Sequence, residues 1–224
     1  MDEILDIRIK ICCISTIEEA KLAIRYGANA VGLVGPMPSG PGPIEPDLIK
    51  EITSTIPPGV STFLLTCEIT ASGILDIYNR THTNVLQLVD EVENIGVYTK
   101  VREAIPHVKL VQVIHVTGPE SLSEAMIIAP HVDALLLDSG NPKLKVKELG
   151  GTGRVHDWSV SKAIVKECNV PVFLAGGLNP LNVKEAIDQV KPFGVDICSG
   201  LRVNGKLDEK LLEQFVSALR KQNG

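Results

Sequence analysis

Eight short apolar runs alternate with amphipathic segments along this 224-residue chain, and the alternation limits the possible folds more than any other feature. Several runs are β-branched and apolar on both faces, which is typical of parallel strands covered by helices. The predicted strands are 7–14, 30–34, 61–65, 85–88, 108–115, 134–137, 172–174 and 195–198. Eight strand–helix units in a chain of this length predict an α/β fold, a closed (β/α)8 TIM barrel, with residues 1–224 as a single domain.

The main alternative is an open, doubly wound sheet. Its fingerprint would be a G-x-G-x-x-G motif directly after the first strand, near Ile14, where nucleotide-binding members of that class hold a pyrophosphate. The sequence there reads Ile14-Ser15-Thr16-Ile17-Glu18 and contains no glycine. The barrel is therefore the favoured architecture.

Composition limits the partners and the location that we expect. The chain has 22 Lys and Arg against 27 Asp and Glu, a net charge of -5 with no basic cluster, which predicts no nucleic-acid partner. The acidic start resembles no secretory signal and no apolar run approaches transmembrane length, so we expect a cytoplasmic protein without a membrane partner. The five cysteines contain no C-x-x-C pair, which predicts neither disulfides nor a structural zinc.

Two connections are unusually long for a barrel. Residues 35–43 are rich in glycine and proline, a composition that excludes both a helix and a central strand. Residues 139–157 exceed the two to six residues that usually join a strand to a helix. Both follow strands on the face where barrel enzymes build their active sites.

Cys12 is the first candidate for chemistry. Strand alternation places Lys10 and Cys12 on one face and Cys13 on the other, so that one of the two adjacent cysteines points into the barrel. A neighbouring cation such as Lys10 favours a thiolate, which would make Cys12 a usable base. The position alone is equally compatible with a buried structural cysteine.

Asp138 is the second candidate, because a carboxylate directly after four apolar residues requires a solvated cleft or a partner. At the mouth of a barrel, partial burial would make it a general acid. The alternative is that Asp138 only caps the turn at Ser139-Gly140.

Glycine pairs follow the seventh and eighth predicted strands, where many barrels hold a phosphate with backbone N–H groups. These are Gly176-Gly177 and Ser199-Gly200, and we interpret them as a phosphate site. The five histidines (His82, His107, His115, His131 and His156) lack the spacing of a zinc site, so we expect no metal and place them on the surface or behind the site residues. Trp158 is expected to begin the sixth helix, with Asp157 or Ser159 near its cap.

Taken together, these motifs resemble the phosphoribosylanthranilate isomerase family along the whole chain. Lys10-Ile11-Cys12 resembles its K-I-C-G-I-T, residues 27–32 its G-A-D-A-x-G, and residues 135–139 its L-L-L-D-S. Gly150-Gly151-Thr152-Gly153 followed by Asp157-Trp158 resembles G-G-T-G-x-x-F-D-W, residues 174–183 resemble L-A-G-G-L-x-P-x-N-V, and residues 195–200 resemble V-D-V-S-S-G.

The resemblance implies a barrel of the ribulose-phosphate-binding type that carries out an Amadori rearrangement in tryptophan biosynthesis. It implies that Cys12 is the general base and Asp138 the general acid, and that the reaction needs no metal or organic cofactor. The substrate would be held by Gly151, Thr152, Gly153, Arg154, Gly176, Gly177, Ser199, Gly200 and Arg202. The resemblance leaves open whether the chain is a monomer or a homodimer.

The chain departs from the family at the part of the site expected to face the anthranilate. The arginine of the family's F-x-x-x-S-x-R is missing from residues 35–41, Cys13 replaces a glycine, Val89 replaces the histidine of Q-L-H-G, residues 64–66 replace F-V-N, and Arg202 stands where glutamate is common. Arg202, Arg154 or Lys143 could replace the missing arginine, and Arg154 is the preferred candidate. The alternatives are an enzyme for another phosphorylated sugar or sugar amine, and a non-catalytic protein that binds a phosphorylated ligand.

Overall fold

The computed structural model describes residues 7–38, 40–140 and 156–220 of the chain. Eight parallel strands follow one another around a closed barrel, in which β1 pairs with both β2 and β8. The strands are β1 Arg8–Ile11, β2 Ala30–Val34, β3 Ser61–Thr66, β4 Val85–Leu88, β5 Lys109–His115, β6 Ala134–Asp138, β7 Val172–Leu174 and β8 Gly194–Ile197. The (β/α)8 barrel expected from the alternation is confirmed.

A helix follows each strand of the barrel. The helices are α1 Ile17–Arg25, α2 Pro46–Thr55, α3 Ala71–Thr81, α4 Gly96–Ala104, α5 Glu120–Ile128, α6 Trp158–Glu167, α7 Val183–Val190 and α8 Glu209–Arg220. A short antiparallel hairpin of β9 (Arg202–Val203) and β10 (Lys206–Leu207) precedes α8. Among the described residues, no helix is long and apolar enough to cross a membrane.

Side chains of each strand alternate between two apolar layers, as the period of two along a strand requires. Residues such as Val31, Leu33 and Leu135 pack outward under the helices. The residues between them point into the barrel and form a second core: Cys12, Cys13, Ala30, Val34, Phe63, Leu65, Val85, Val89, Val111, Val113, Ala134, Leu136, Phe173 and Ala175. Polar side chains that share this inward phase therefore meet inside the barrel.

Helix starts follow their local sequence signals. The Thr16 hydroxyl accepts a hydrogen bond from the Glu19 N–H at 3.1 Å and caps α1, while Glu19 reaches back to the Ser15 N–H at 3.0 Å. Asp157 caps α6 by accepting from the Ser159 N–H at 2.8 Å. The prediction that Trp158 begins the sixth helix is confirmed.

The first strand is shorter than predicted, since it ends at Ile11 and not at residue 14. The reason is Cys13, which has a φ of 60° in the left-handed region that a residue with a Cβ rarely adopts. This turn also ends the strict alternation of the strand, so that both cysteines belong to the inner core.

Candidate active site

Five inward positions form one row across the catalytic half of the barrel. Strand register places His115 beside Asp138, and Asp196 beside Lys10. Ala175 follows the paired residues of β7 and separates the two groups, and its small side chain leaves room between them. The barrel therefore brings together ionisable groups from four strands.

Lys10 and Asp196 form a buried ion pair at the centre of this row. Lys10 Nζ lies 2.7 Å from Asp196 Oδ2, the lysine side chain has no exposed surface, and its ammonium stands 5.2 Å from the centre of the Phe63 ring. Burial makes the largest single contribution and disfavours the charged lysine, but the charge and hydrogen bond of Asp196 together with the neighbouring Cys12 and Cys13 outweigh it, so the pKa of Lys10 is raised. Burial raises the pKa of Asp196 in spite of the lysine. Lys10 thus remains a fixed cation inside the barrel.

Cys12 points into the barrel beside this cation, as the alternation predicted. A Cβ placed on Gly32 of β2 would lie 2.8 Å from Cys12 Sγ and 3.1 Å from Lys10 Nζ. The thiol and the ammonium therefore flank the same glycine, and any side chain at position 32 would displace them. Cys12 is also anchored by its N–H, which donates to the Ile197 carbonyl at 2.8 Å.

Asp138 ends β6 inside the barrel and is buried, with its Oδ1 accepting a hydrogen bond from the Ser139 N–H at 2.7 Å. Burial raises the pKa of this carboxyl, and Asp196 adds to the effect, against smaller opposing contributions from the Ser139 hydrogen bond, His115 and Lys10. A carboxyl group whose pKa is raised by burial is suited to donate a proton near neutral pH. Asp138 thus makes the turn contact to Ser139 and also has the environment of a general acid.

Cys13 and Cys198 stand beside Cys12, and their pKa values are shifted in opposite directions. Hydrogen bonding to the sulfur atoms of Cys12 and Cys198, together with burial, raises the pKa of Cys13 well above its usual value. The Cys13 thiol also approaches the Pro41 carbonyl oxygen at 3.6 Å, in the glycine- and proline-rich loop. The hydrogen bond from Cys13 and the nearby Arg202 lower the pKa of Cys198. Cys13 therefore keeps its proton and packs the loop against β1.

The two glycine motifs after β7 and β8 are adjacent in space. A Cβ on Gly200 would collide with the Leu178 carbonyl oxygen, so the two turns touch through backbone atoms. The Gly177 carbonyl accepts from the side-chain amides of Asn179 and Asn182, at 3.2 and 3.0 Å, which fixes the turn before α7. The turn at Gly176-Gly177 and the turn at Ser199-Gly200 thus lie side by side, and we refer to them together as the cradle.

Gly176 connects this cradle to the acid. Its φ of 83° is one that glycine adopts without strain, and a Cβ there would lie 3.0 Å from the Ser139 N–H nitrogen and 3.0 Å from His156 Nδ1. His156 is held by the Ser161 hydroxyl at 2.6 Å, and burial lowers its pKa to about 4. A neutral histidine and the residue that follows Asp138 therefore both lie against Gly176.

Arg202 has a different environment from the one expected for a substrate ligand. Its guanidinium lies 3.1 Å from Glu19 Oε1 and also donates to the carbonyl oxygens of Cys12 and Cys13. Both side chains of the ion pair are largely buried, at 8% and 12% exposure. The guanidinium is thus directed at α1 and at the end of β1, where it holds the backbone that carries the cysteines.

Four predicted ligands, Gly151, Thr152, Gly153 and Arg154, lie outside the described residues, as does Lys143. In the part of the chain that the structure describes, no group of three or more His, Cys, Asp and Glu side chains could hold a metal ion.

Asp196 and His115 are the site residues that the sequence interpretation missed. Asp196 occurs in the run Val195-Asp196-Ile197-Cys198, which was used only as a family motif. The sequence does carry a signal for this ion pair. The last strand has a carboxylate at an inward position, the first strand has a lysine at one, and the two strands pair when the barrel closes. His115 ends β5, and sequence alone offered no sign of its neighbours.

Comparisons with known proteins show the family to which the chain belongs. The family model described as N-(5'phosphoribosyl)anthranilate (PRA) isomerase matches residues 9–218. N-(5'-phosphoribosyl)anthranilate isomerase 2 of Methanosarcina mazei is 38% identical over 211 residues, which cover 93% of this chain and 92% of that protein.

Solved structures show the same architecture. The phosphoribosyl anthranilate isomerase of Thermotoga maritima superposes with a TM-score of 0.82 at 30% identity, covering 96% of this chain and 99% of that one. A phosphoribosyl anthranilate isomerase in complex with reduced 1-(o-carboxyphenylamino)-1-deoxyribulose 5-phosphate superposes with a TM-score of 0.79 at 28% identity, covering 96% and 99%. The chain is similar to both over nearly its whole length.

Proposed function

We propose that this chain, which belongs to the N-(5'phosphoribosyl)anthranilate (PRA) isomerase family, carries out the Amadori rearrangement of N-(5-phosphoribosyl)anthranilate in tryptophan biosynthesis. The product is 1-(2-carboxyphenylamino)-1-deoxyribulose 5-phosphate, and the protein is an isomerase that interconverts an aldose and a ketose. The observation that carries the proposal is the family match over residues 9–218, with Cys12 and Asp138 both inside the mouth of the barrel.

Asp138 is the proposed general acid. It would protonate the ring oxygen of the ribose, so that the ring opens to a Schiff base between C1 and the anthranilate nitrogen. The raised pKa of the buried carboxyl supports this role, because the acid must hold its proton before the reaction.

Cys12 is the proposed general base. It would remove the proton from C2 of the open Schiff base, and the electrons would move to the iminium nitrogen, which makes the substrate its own electron sink. The fixed cation Lys10 flanks the same glycine, Gly32, as the Cys12 thiol. Cys13 is the poorer candidate, since its raised pKa keeps it protonated.

The phosphate of the substrate would sit in the cradle of Gly176, Gly177, Ser199 and Gly200, held chiefly by backbone N–H groups. The contact between the two turns and the approach of Gly176 to Ser139 support this placement, because they put the cradle next to the acid. Gly151, Thr152 and Gly153 are proposed to complete it. A crystal soaked in sulfate tests the placement, and an anion bound only elsewhere would contradict it.

The part of the site that would bind the aromatic carboxylate differs in this chain from the family's pattern. Residues 35–43 contain no lysine or arginine, and Arg202 is engaged with Glu19 and two carbonyl oxygens. We therefore favour Arg154 over Arg202 as the cation that binds the carboxylate. This departure also supports the second candidate function, the same acid–base chemistry on another phosphorylated sugar or sugar amine.

Steady-state kinetics on Arg154→Met separate these candidates, with Lys143→Met as the matched control. Loss of a charge-assisted contact to a carboxylate costs about 1.5–3 kcal/mol, or about 10- to 100-fold in binding. We expect Arg154→Met to raise KM by that factor, with unchanged affinity for inorganic phosphate and little effect of Lys143→Met. A wild-type protein that does not turn over N-(5-phosphoribosyl)anthranilate, yet binds ribose phosphates, would contradict the proposed reaction and favour the second candidate.

The direct test of the proposed function is genetic. A bacterial tryptophan auxotroph that lacks this isomerase should grow without tryptophan when it expresses the wild-type chain, and should not grow with the Cys12→Ser/Asp138→Asn double variant at equal protein level. Failure of the wild-type chain to rescue growth, with soluble folded protein present, would favour the alternatives, which include a non-catalytic phospholigand-binding protein.

We propose a cytoplasmic enzyme of one domain over residues 1–224, monomeric or homodimeric, whose partner is the phosphorylated substrate and not a nucleic acid. The acidic net charge of -5 supports the last point.

A further inference from the structure

Arg202 reaches from the hairpin after β8 back to the end of β1. Its Nη2 donates to the carbonyl oxygen of Cys12 at 3.1 Å and also to that of Cys13. Its Nη1 donates to Glu19 Oε1 at 3.1 Å and to the Gly205 carbonyl oxygen at 2.9 Å. The N–H groups of both terminal nitrogens therefore have acceptors within the protein, and the remaining donor, Nε, is buried.

Glu19 holds the guanidinium in this orientation. Its Oε1 also accepts from the Leu207 N–H at 2.8 Å, and its Oε2 accepts from the Ser15 N–H at 3.0 Å. Burial would raise the pKa of Glu19, but the hydrogen bonds from Leu207 and Arg202 lower it, so the carboxylate keeps its charge at neutral pH. A fixed carboxylate opposite the planar fork of an arginine determines where the other N–H groups of the fork point.

The two carbonyl groups that Arg202 binds belong to a strained turn. The Cys12 carbonyl lies in the peptide group between Cys12 and Cys13, so its direction sets ψ of Cys12 and φ of Cys13. That φ is 60°, which a residue with a Cβ keeps only where its surroundings hold it. The family's motif has glycine in place of Cys13, and glycine adopts this φ without strain. It commonly has glutamate in place of Arg202, and a carboxylate cannot donate to a carbonyl oxygen.

The position of the Cys12 thiol depends on the same peptide group. Backbone hydrogen bonds anchor the segment on either side: the Cys12 N–H donates to the Ile197 carbonyl at 2.8 Å, and the Ile14 N–H donates to the Gly32 carbonyl at 2.9 Å. Between these two anchors, Arg202 holds both carbonyl groups. A general base must lie within hydrogen-bond reach of the proton that it removes, and a displacement of about 1 Å can cost about 100-fold in rate.

We propose that Arg202 and Glu19 form a positioning pair for the general base: the guanidinium, aligned by the carboxylate, fixes the turn at Cys13 and thereby the place of the Cys12 thiol in the barrel. The proposal rests on the proposed function, because that function assigns Cys12 the role of base. It differs from the sequence-based expectation that Arg202 binds the substrate, and the two roles predict opposite kinetic effects.

Steady-state kinetics separate positioning from substrate binding. Arg202→Met should lower kcat about 10- to 100-fold and change KM and the affinity for inorganic phosphate by less than about twofold. Arg202→Lys keeps the charge and one donor group, so its kcat should fall between the two. Arg25→Met is the matched control, because Arg25 forms an exposed ion pair with Glu209 at 3.6 Å, and it should leave kcat and KM unchanged. A KM raised at least about tenfold with unchanged kcat would make Arg202 a substrate ligand and overturn the inference.

A double-variant cycle shows whether the arginine acts through Cys12. In a Cys12→Ser protein the base is already absent, so adding Arg202→Met should lower kcat further by less than about threefold. An arginine that merely supports the fold predicts the same factor in both backgrounds, because serine leaves the backbone unchanged. Equal factors would therefore contradict a positioning role.

Glu19 provides the second half of the test. Glu19→Gln keeps an oxygen acceptor for the guanidinium, so it should retain more of the wild-type kcat than Glu19→Ala, with KM unchanged in both. Wild-type kcat in Glu19→Ala would refute the pairing. Arg202→Met leaves a carboxylate that is 12% exposed without its partner, so Glu19→Gln/Arg202→Met replaces it if urea unfolding shows that the single variant is not folded.

Amide hydrogen exchange is a readout that needs no substrate. In folded Arg202→Met, the N–H groups of Cys12 and Ile14 should exchange at least about tenfold faster, while that of Ala175, which donates to the Leu137 carbonyl at 2.7 Å, stays unchanged. Unchanged exchange at Cys12 and Ile14 would overturn the inference. A wild-type chain that fails to isomerise N-(5-phosphoribosyl)anthranilate would remove the proposed reaction, and the exchange rates would still show whether Arg202 holds the Cys12 segment.

Discussion

Removing one partner of the buried Lys10–Asp196 pair should destabilise the fold by an amount that depends on pH. Lys10→Met removes the partner of a carboxylate that is 7% exposed, and a buried charge left without its partner costs about 3–5 kcal/mol. For a domain of this size each kcal/mol shifts the melting temperature by about 2–4 °C, so we expect a loss of roughly 10 °C at pH 8.

The pH dependence follows from the pKa of Asp196. Burial already raises it, and loss of the lysine charge raises it further. A carboxyl whose pKa is higher in the folded state than in the unfolded chain reduces stability as pH rises through the folded pKa. The loss of stability of Lys10→Met relative to the wild-type chain should therefore be largest at pH 8. It should become smaller on acidification towards about pH 5, because folded Asp196 takes up a proton.

Calorimetry or thermal circular dichroism at both pH values is the measurement, and the chain offers a matched control. Lys184 and Asp188 form an ion pair at 2.8 Å on the exposed face of α7, and Lys184→Met should cost no more than about 0.5 kcal/mol. The double variant Lys10→Met/Asp196→Val should recover most of the loss, because a buried ion pair is replaced by apolar side chains at little cost. Equal small effects of the two lysine substitutions, or strict additivity in the double variant, would refute this reasoning.

Four further outcomes are expected. Cys12→Ser and Asp138→Asn should each lower turnover at least about 100-fold in steady-state assays, with small changes in the unfolding midpoint, while Cys13→Ser stays mild; an essential Cys13 with a dispensable Cys12 would reverse the assignment. Cys13→Gly should be more stable than Cys13→Ala by about 1 kcal/mol in urea unfolding, because only glycine relieves a φ of 60°; equal stabilities would show that position 13 carries no strain. Gly200→Ala should weaken inorganic phosphate binding at least about tenfold by calorimetry, since its Cβ collides with the neighbouring turn, and unchanged affinity would place the anion elsewhere. Hydrogen bonds from the Leu207 N–H and Arg202 lower the pKa of Glu19 in spite of burial. Glu19→Gln should therefore remove a contribution to the free energy of unfolding that is present at pH 7 and is lost as pH falls below about 4.3. A difference in unfolding free energy between wild type and variant that stays constant from pH 7 to pH 3 would contradict this.

The positions of several site residues could be predicted because each has a signal in the sequence directly around it. Asp138 follows four apolar residues, Cys12 shares the phase of Lys10, and the glycine pairs come after the last two strands. Each of these signals lies within a few residues along the chain, where strand alternation and turn chemistry act. The sequence predicts Arg202 as a substrate ligand, and its partner Glu19 is 183 residues away and could not be inferred.

The sequence by itself determined the barrel, the order of its strands and the start of α6 at Trp158, because periodicity and capping are local properties of the chain. Only the tertiary structure decided which side chains meet. Closure of β8 onto β1 joins Asp196 to Lys10 across 186 residues, and the register of β5 and β6 sets His115 beside Asp138. The left-handed turn at Cys13 is likewise a result of packing, since its thiol lies against Pro41 of another loop. Contacts between strands depend on how the whole sheet closes, and no single segment carries that information.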